Sequence, residues 1–123
     1  KKTKNVKKVY FRDLFDRPCE QLEHDMKLWW VHNEAIISTL LAYYITKDKK
    51  YLEWYQKVKT YAFEHFADKE FGEWYGYLHR DGTVSHTQKG SLWKGPFHLP
   101  RCLMLVEKIL DAIINDSKEL ELL

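Results

Sequence analysis

The chain has 123 residues, 45% of them hydrophobic and 31% charged, which describes one globular domain or a piece of a larger one and excludes a disordered chain. The net charge of +2 comes from Lys1, Lys2, Lys4, Lys7 and Lys8; without this tail the rest is near neutral or slightly acidic, so nucleic acid is not an expected partner. No apolar run approaches the roughly 20 residues of a membrane span, and the Lys-rich start is not expected to act as a secretory signal. With Cys19 and Cys102 as the only cysteines, reduced thiols and a cytoplasmic setting are expected.

Residues 1–8 read as a basic, frayed tail. Val9 to Phe15 alternates as a short strand, and Asp16-Arg17-Pro18 is a turn signal. Gln21 to Lys27 is expected to return as a second strand or extended segment. Leu28 to Thr46 is the first helix, its start falling at Asn33 or just before. It is apolar or small on nearly every side, which suits an inner helix. Asp48 to Phe66 is the second, with Asp48 as N-cap. Tyr51, Leu52, Tyr55, Val58, Tyr61, Ala62 and Phe66 make its buried face, opposite Glu53, Gln56, Lys57, Lys59 and Thr60. Phe71 to Lys89 changes to a strand period, and Asp81-Gly82 predicts a hairpin turn. Gly90 to Pro100 is a Gly/Pro-rich loop. The last helix begins near Pro100, with Leu103, Val106, Ile109, Leu110, Ile113 and Ile114 as its apolar face; residues 117–123 are expected to fray. The first helix is hard to cover within 123 residues, so the chain is expected to self-associate or to pack against N-terminal segments that it lacks.

Aromatic residues reach 15%, with five Trp and eight Tyr. An aromatic face matches the C–H face of a pyranose, so some of them are candidates for a sugar site, although a core rich in large side chains accounts for most.

Three ordered blocks go further. Gln21-Leu22-Glu23 and Asp25 to Ala35, with Lys27-Leu28-Trp29-Trp30-Val31-His32-Asn33-Glu34 at its centre, form the first. Gly72-Glu73-Trp74-Tyr75-Gly76-Tyr77-Leu78 with Arg80-Asp81-Gly82 forms the second. Lys89-Gly90 and Lys94-Gly95-Pro96-Phe97-His98-Leu99-Pro100-Arg101-Cys102-Leu103 form the third. Together they resemble the C-terminal part of the N-acylglucosamine 2-epimerase (renin-binding protein) family. The resemblance implies a mainly α fold, the C-terminal portion of an (α/α)6 barrel with short β-hairpins between helices, spanning residues 9–116. It also implies interconversion of N-acetylglucosamine and N-acetylmannosamine, or a related epimerisation or aldose–ketose isomerisation, on a small sugar substrate without metal or other cofactor.

Inverting C2 of a reducing sugar requires ring opening and removal of a proton alpha to the aldehyde. Enediolate stabilisation and acid/base groups on both faces of C2 are therefore needed, and histidine suits both proton steps. By the resemblance, His98 is one acid/base. Glu34 is the second catalytic candidate, assisting proton transfer or holding substrate, although a Glu in the first turn of a helix is also a favourable dipole partner. His32, two residues before Glu34, reaches the same ligand only if it precedes the first turn. Trp30, Trp74 and Arg101 are the further substrate-binding candidates, with Trp29, Glu73, Lys89 and Lys94 behind them. His24, His65, His79 and His86 show no metal-ligand spacing. The family's other acid/base histidine, on an earlier helix, and an arginine from the first helices have no counterpart here, so this chain is expected to be an incomplete portion of the enzyme. The alternative is a non-catalytic carbohydrate- or protein-binding module on the same fold, since some family members bind renin. An unrelated aromatic-rich sugar-binding domain is disfavoured by the order of the three blocks.

Overall fold

A computed structural model describes residues 22–117, 119 and 120. The tail, the strand at Val9 to Phe15, the turn at Asp16-Arg17-Pro18, Cys19 and the last three residues lie outside them. The described chain runs from a short 3-10 helix, Leu22–Asp25, into strand β1 (Lys27–Leu28) and helix α1 (Trp29–Thr46). Helix α2 (Lys49–His65), strand β2 (Tyr77–Leu78) and helix α3 (His98–Ile114) follow. No helix among the described residues is long and apolar enough to cross a membrane.

Helix α1 lies between α2 and α3 and packs on both. Trp29, Asn33, Ile36, Ile37 and Leu40 are its buried residues. Val31 and Ile45 stay exposed, so the broad apolar surface expected of an inner helix is only partly covered. The helix begins at Trp29, earlier than Asn33. Glu34 therefore sits in the second turn rather than the first, and an interaction with the helix dipole at the very start does not explain it.

Helix α2 follows its pattern closely. The Asp48 carboxylate accepts from the Lys50 N–H at 3.0 Å and caps the helix. Tyr55 and Ala62 are buried, with Leu52, Val58 and Tyr61 packed against the core, while Glu53, Gln56, Lys57, Lys59 and Thr60 face solvent.

The strands depart from expectation. Gln21 to Lys27 is not a continuous strand: Leu22–Asp25 coils as a 3-10 helix, and only Lys27–Leu28 extends. The partner of β2 is β1, antiparallel, with Lys27 opposite Leu78 and Leu28 opposite Tyr77. The hairpin around Asp81-Gly82 shrinks to a single bridge, Leu78 to Val84. Gly82 has φ +94°, and a Cβ there would lie 2.7 Å from the Tyr61 hydroxyl and 2.9 Å from His65 Nδ1. Both the backbone sign and the lack of room require glycine.

Helix α3 starts at His98, so Pro100 stands in the first turn, where its missing N–H leaves no intrahelical bond unmade. Its buried line is Leu99, Cys102, Leu105, Ile109 and Ala112. Leu103 and Ile114, expected inward, are exposed, whereas Val106, Leu110 and Ile113 flank the core. The apolar arc of α3 is wider than its contact with α1, and the contact settles on the arc's other edge.

Candidate active site

The first two turns of α1 and the first turn of α3 meet beside the β1–β2 pair. The link is set at the backbone, where the Trp29 N–H donates to the Gly76 carbonyl at 3.0 Å. His98 and Arg101, three apart on α3, project together as i, i+3 neighbours, and Glu34 faces them from α1. The His98 Nδ1 lies 2.9 Å from Glu34 Oε1. The Arg101 guanidinium donates to the same oxygen. A carboxylate oxygen needs a donor, so the proton of the His98–Glu34 bond belongs on Nδ1. Nε2, which then carries the lone pair in the neutral ring, has no hydrogen-bond partner among the described residues. Burial alone would push the Glu34 carboxyl up, but the hydrogen bonds and charges of Arg101 and His98 outweigh it and hold the group below its ordinary value.

His98 opens onto a cleft of about 560 Å³, walled by Leu28, Trp29, Trp30, Tyr77 and Trp93, with Glu23 at its edge. The Trp30 ring centroid is 5.9 Å from that of His98, and Trp30 is 40% exposed. Trp29 meets His98 edge-on at 6.3 Å but is itself buried. This is a mostly apolar, aromatic cleft with one histidine at its wall, the kind of surface that accepts a sugar ring's C–H face.

The remaining candidates lie elsewhere. His32 is in the first turn of α1 and turns towards α2: its Nδ1 lies 2.8 Å from the Leu28 carbonyl, and its ring stacks on Tyr61 at 5.7 Å. It precedes no turn, and so does not share the face of Glu34. Trp74 is 4% exposed and stacks on Phe66 at 5.8 Å; a ring sealed in the core has no face left for a ligand. Glu73, Lys89 and Lys94 form ion pairs away from the cleft. Burial pushes the Cys102 thiol up to about 12, so it is a core residue and not a nucleophile. Sequence reasoning missed Trp93, Tyr77 and Glu23. Trp93, between the two parts of the third block in a Gly/Pro-rich loop, carried a usable signal, because a tryptophan in such a loop has little core to enter. Among the described residues no three His, Cys, Asp or Glu side chains are grouped to hold a metal ion.

His32 gives a stability test. Burial lowers its pKa below 6.5, with Lys27 adding to the effect and the hydrogen bond to the Leu28 carbonyl opposing it. The unfolded chain therefore takes up this proton at higher pH than the folded chain does. The stability associated with neutral His32 is fully present above about pH 6.5 and declines as pH falls from there towards the folded pKa. Urea midpoints at pH 7.5 and 5.5 should differ in that direction, and the difference should shrink in His32→Gln.

A family model described as N-acylglucosamine 2-epimerase (GlcNAc 2-epimerase) matches residues 2–100. The chain belongs to the N-acylglucosamine 2-epimerase family. N-acylglucosamine 2-epimerase of Rattus norvegicus is 47% identical over 106 residues, covering 86% of this chain and 25% of that protein. Cellobiose 2-epimerase of Ruminococcus albus is 35% identical over 89 residues, 69% of this chain and 23% of that protein. The solved structure of cellobiose 2-epimerase from Spirochaeta thermophila DSM 6192 superposes with a TM-score of 0.67 at 29% identity, covering 72% of this chain and 23% of that one. The chain thus spans about a quarter of the length of the curated epimerases it matches. Its helices and short strands are consistent with the α/α-toroid fold of this epimerase and isomerase superfamily.

Proposed function

We propose that residues 9–116 are the C-terminal portion of an (α/α)6 barrel, flanked by a basic tail and a frayed end, in a sugar 2-epimerase that removes and returns the C2 proton of an N-acylglucosamine or N-acylmannosamine. The observation that carries this reading is the Glu34–His98–Arg101 cluster at the wall of an aromatic cleft. His98 Nε2 takes the C2 proton of one epimer of the open-chain sugar, leaving an enediolate that is protonated from the opposite face, and in the reverse direction it delivers the proton to its own face. Glu34 fixes the proton on Nδ1, orients the ring and stabilises the imidazolium that forms. Arg101 keeps Glu34 ionised, and Trp30 offers its face to the sugar. The proton on the other face of C2 is handled by a group from the remainder of the family fold, which also covers the exposed part of α1. The same reading sets the protein in the cytoplasm, where the buried free thiol of Cys102 stays reduced.

The test is NMR in deuterated water with N-acetylglucosamine and N-acetylmannosamine, using this chain and the longest polypeptide that carries it. Deuterium is expected at C2 with the longer polypeptide and not with this chain alone. Conversion of one sugar into the other by this chain alone would mean that both bases lie within it, whereas exchange without conversion would mean that His98 acts alone on one face. Sugar binding without exchange by either would favour the alternative, a carbohydrate-binding module on this fold.

A further inference from the structure

Lys94 is a charged side chain that the fold buries, with only 3% of it exposed. Its ammonium pairs with the Glu73 carboxylate and donates to the Lys89 carbonyl at 2.9 Å. Glu73 takes φ +64°, a left-handed conformation uncommon for a residue with a side chain, directly after Gly72 at φ +73°. The same turn is held by Lys89, which pairs with Asp68 and donates to the Gly72 carbonyl at 2.8 Å. Two lysines thus tie the loop leading into α3 to the turn before β2.

The stem of Lys94 fills the space beside Gly76. A Cβ at Gly76 would lie 2.9 Å from Lys94 Cδ and 3.5 Å from Trp29 Cε3. The Lys94 ammonium sits 5.9 Å from the Trp29 ring centroid, and Trp29 in turn meets His98. Four residues after Lys94 the chain reaches His98. Lys94 does not line the aromatic cleft.

We propose that Lys94 is a positioning residue: its ion pair with Glu73 anchors the loop before α3 and backs the Trp29 wall, which fixes His98 relative to the cleft. This rests on the reading of His98 as the C2 acid/base. Small displacements of a reacting group cost large factors in rate, whereas a merely structural ion pair would move only stability.

The experiment compares wild type, Lys94→Met and Gly76→Ala in the polypeptide that shows C2 exchange. Lys94→Met keeps the stem and drops the ammonium; Gly76→Ala keeps the ammonium and displaces the stem. Both are expected to lower kcat for C2 exchange about ten- to a hundredfold, with KM changed much less. Both are also expected to shift the His98 ring signals in NMR, assigned against His98→Gln. If either variant fails to fold, the other carries the test. Unchanged kcat per folded molecule with unmoved His98 signals would overturn the proposal. If wild type shows no C2 exchange, the epimerase reading fails. The ring signals then decide for Lys94 alone: a shift supports its positioning of His98, and no shift overturns it.

Discussion

In the longer polypeptide that carries this chain, exchange of the C2 proton is expected to fall about a hundred- to ten-thousandfold in His98→Gln, with helix content and thermal midpoint little changed. Glutamine can still donate an N–H to Glu34, and Arg101 still holds the same carboxylate. The cluster therefore keeps its charge balance and most of its packing. What glutamine cannot do is accept and return a proton near neutral pH. The loss should appear in kcat more than in KM, since Trp30 and the rest of the cleft remain. Retained exchange would remove His98 from its role and leave no histidine at the cleft wall among the described residues.

The largest expected loss of stability is in Phe66→Ala. Phe66 is wholly buried at the end of α2, stacked on Trp74 and 4.8 Å from the His32 ring. Truncating a buried phenylalanine costs about 3–5 kcal/mol through lost transfer energy and the cavity left behind. Whole domains are stable by only about 5–15 kcal/mol, so this one side chain decides between a folded and a marginal chain. Urea denaturation should show a lower midpoint at unchanged slope. A loss below about 1 kcal/mol would mean that Trp74 and His32 close over the gap. Phe63→Ala, on the more exposed edge of Trp74, should cost clearly less.

Helix α2 was legible in the sequence because one narrow apolar arc and one aspartate define it. Helix α1 was legible in extent but not in phase: the two-residue spacing already set His32 and Glu34 on different faces, but a helix apolar on nearly all sides gives no period from which to choose which face is buried. The pairing of Lys27 with Leu78 was not legible, because two-residue strands carry no alternation and their partner is remote in the chain. Nor does residue type tell a stacked core tryptophan such as Trp74 from a cleft tryptophan such as Trp93. His98, Glu34 and Arg101 came from the ordered blocks, and their convergence on one oxygen needed coordinates.

The His98–Glu34 contact joins residues 64 apart in sequence, and it exists only where α3 docks on α1. Helices α1 and α2, by contrast, are joined through a short connection and pack directly against each other. A helical hairpin of that kind closes early and locally, while the third helix must return across a long loop. The cluster is thereby tied to the last step of assembly. Partial opening of α3 disbands the cluster while α1 and α2 stay paired, so amide hydrogens of α3 should exchange by a lower-energy opening than those at the α1–α2 seam. The Glu34–His98–Arg101 cluster then reports a completed fold, and it is lost before the chain melts.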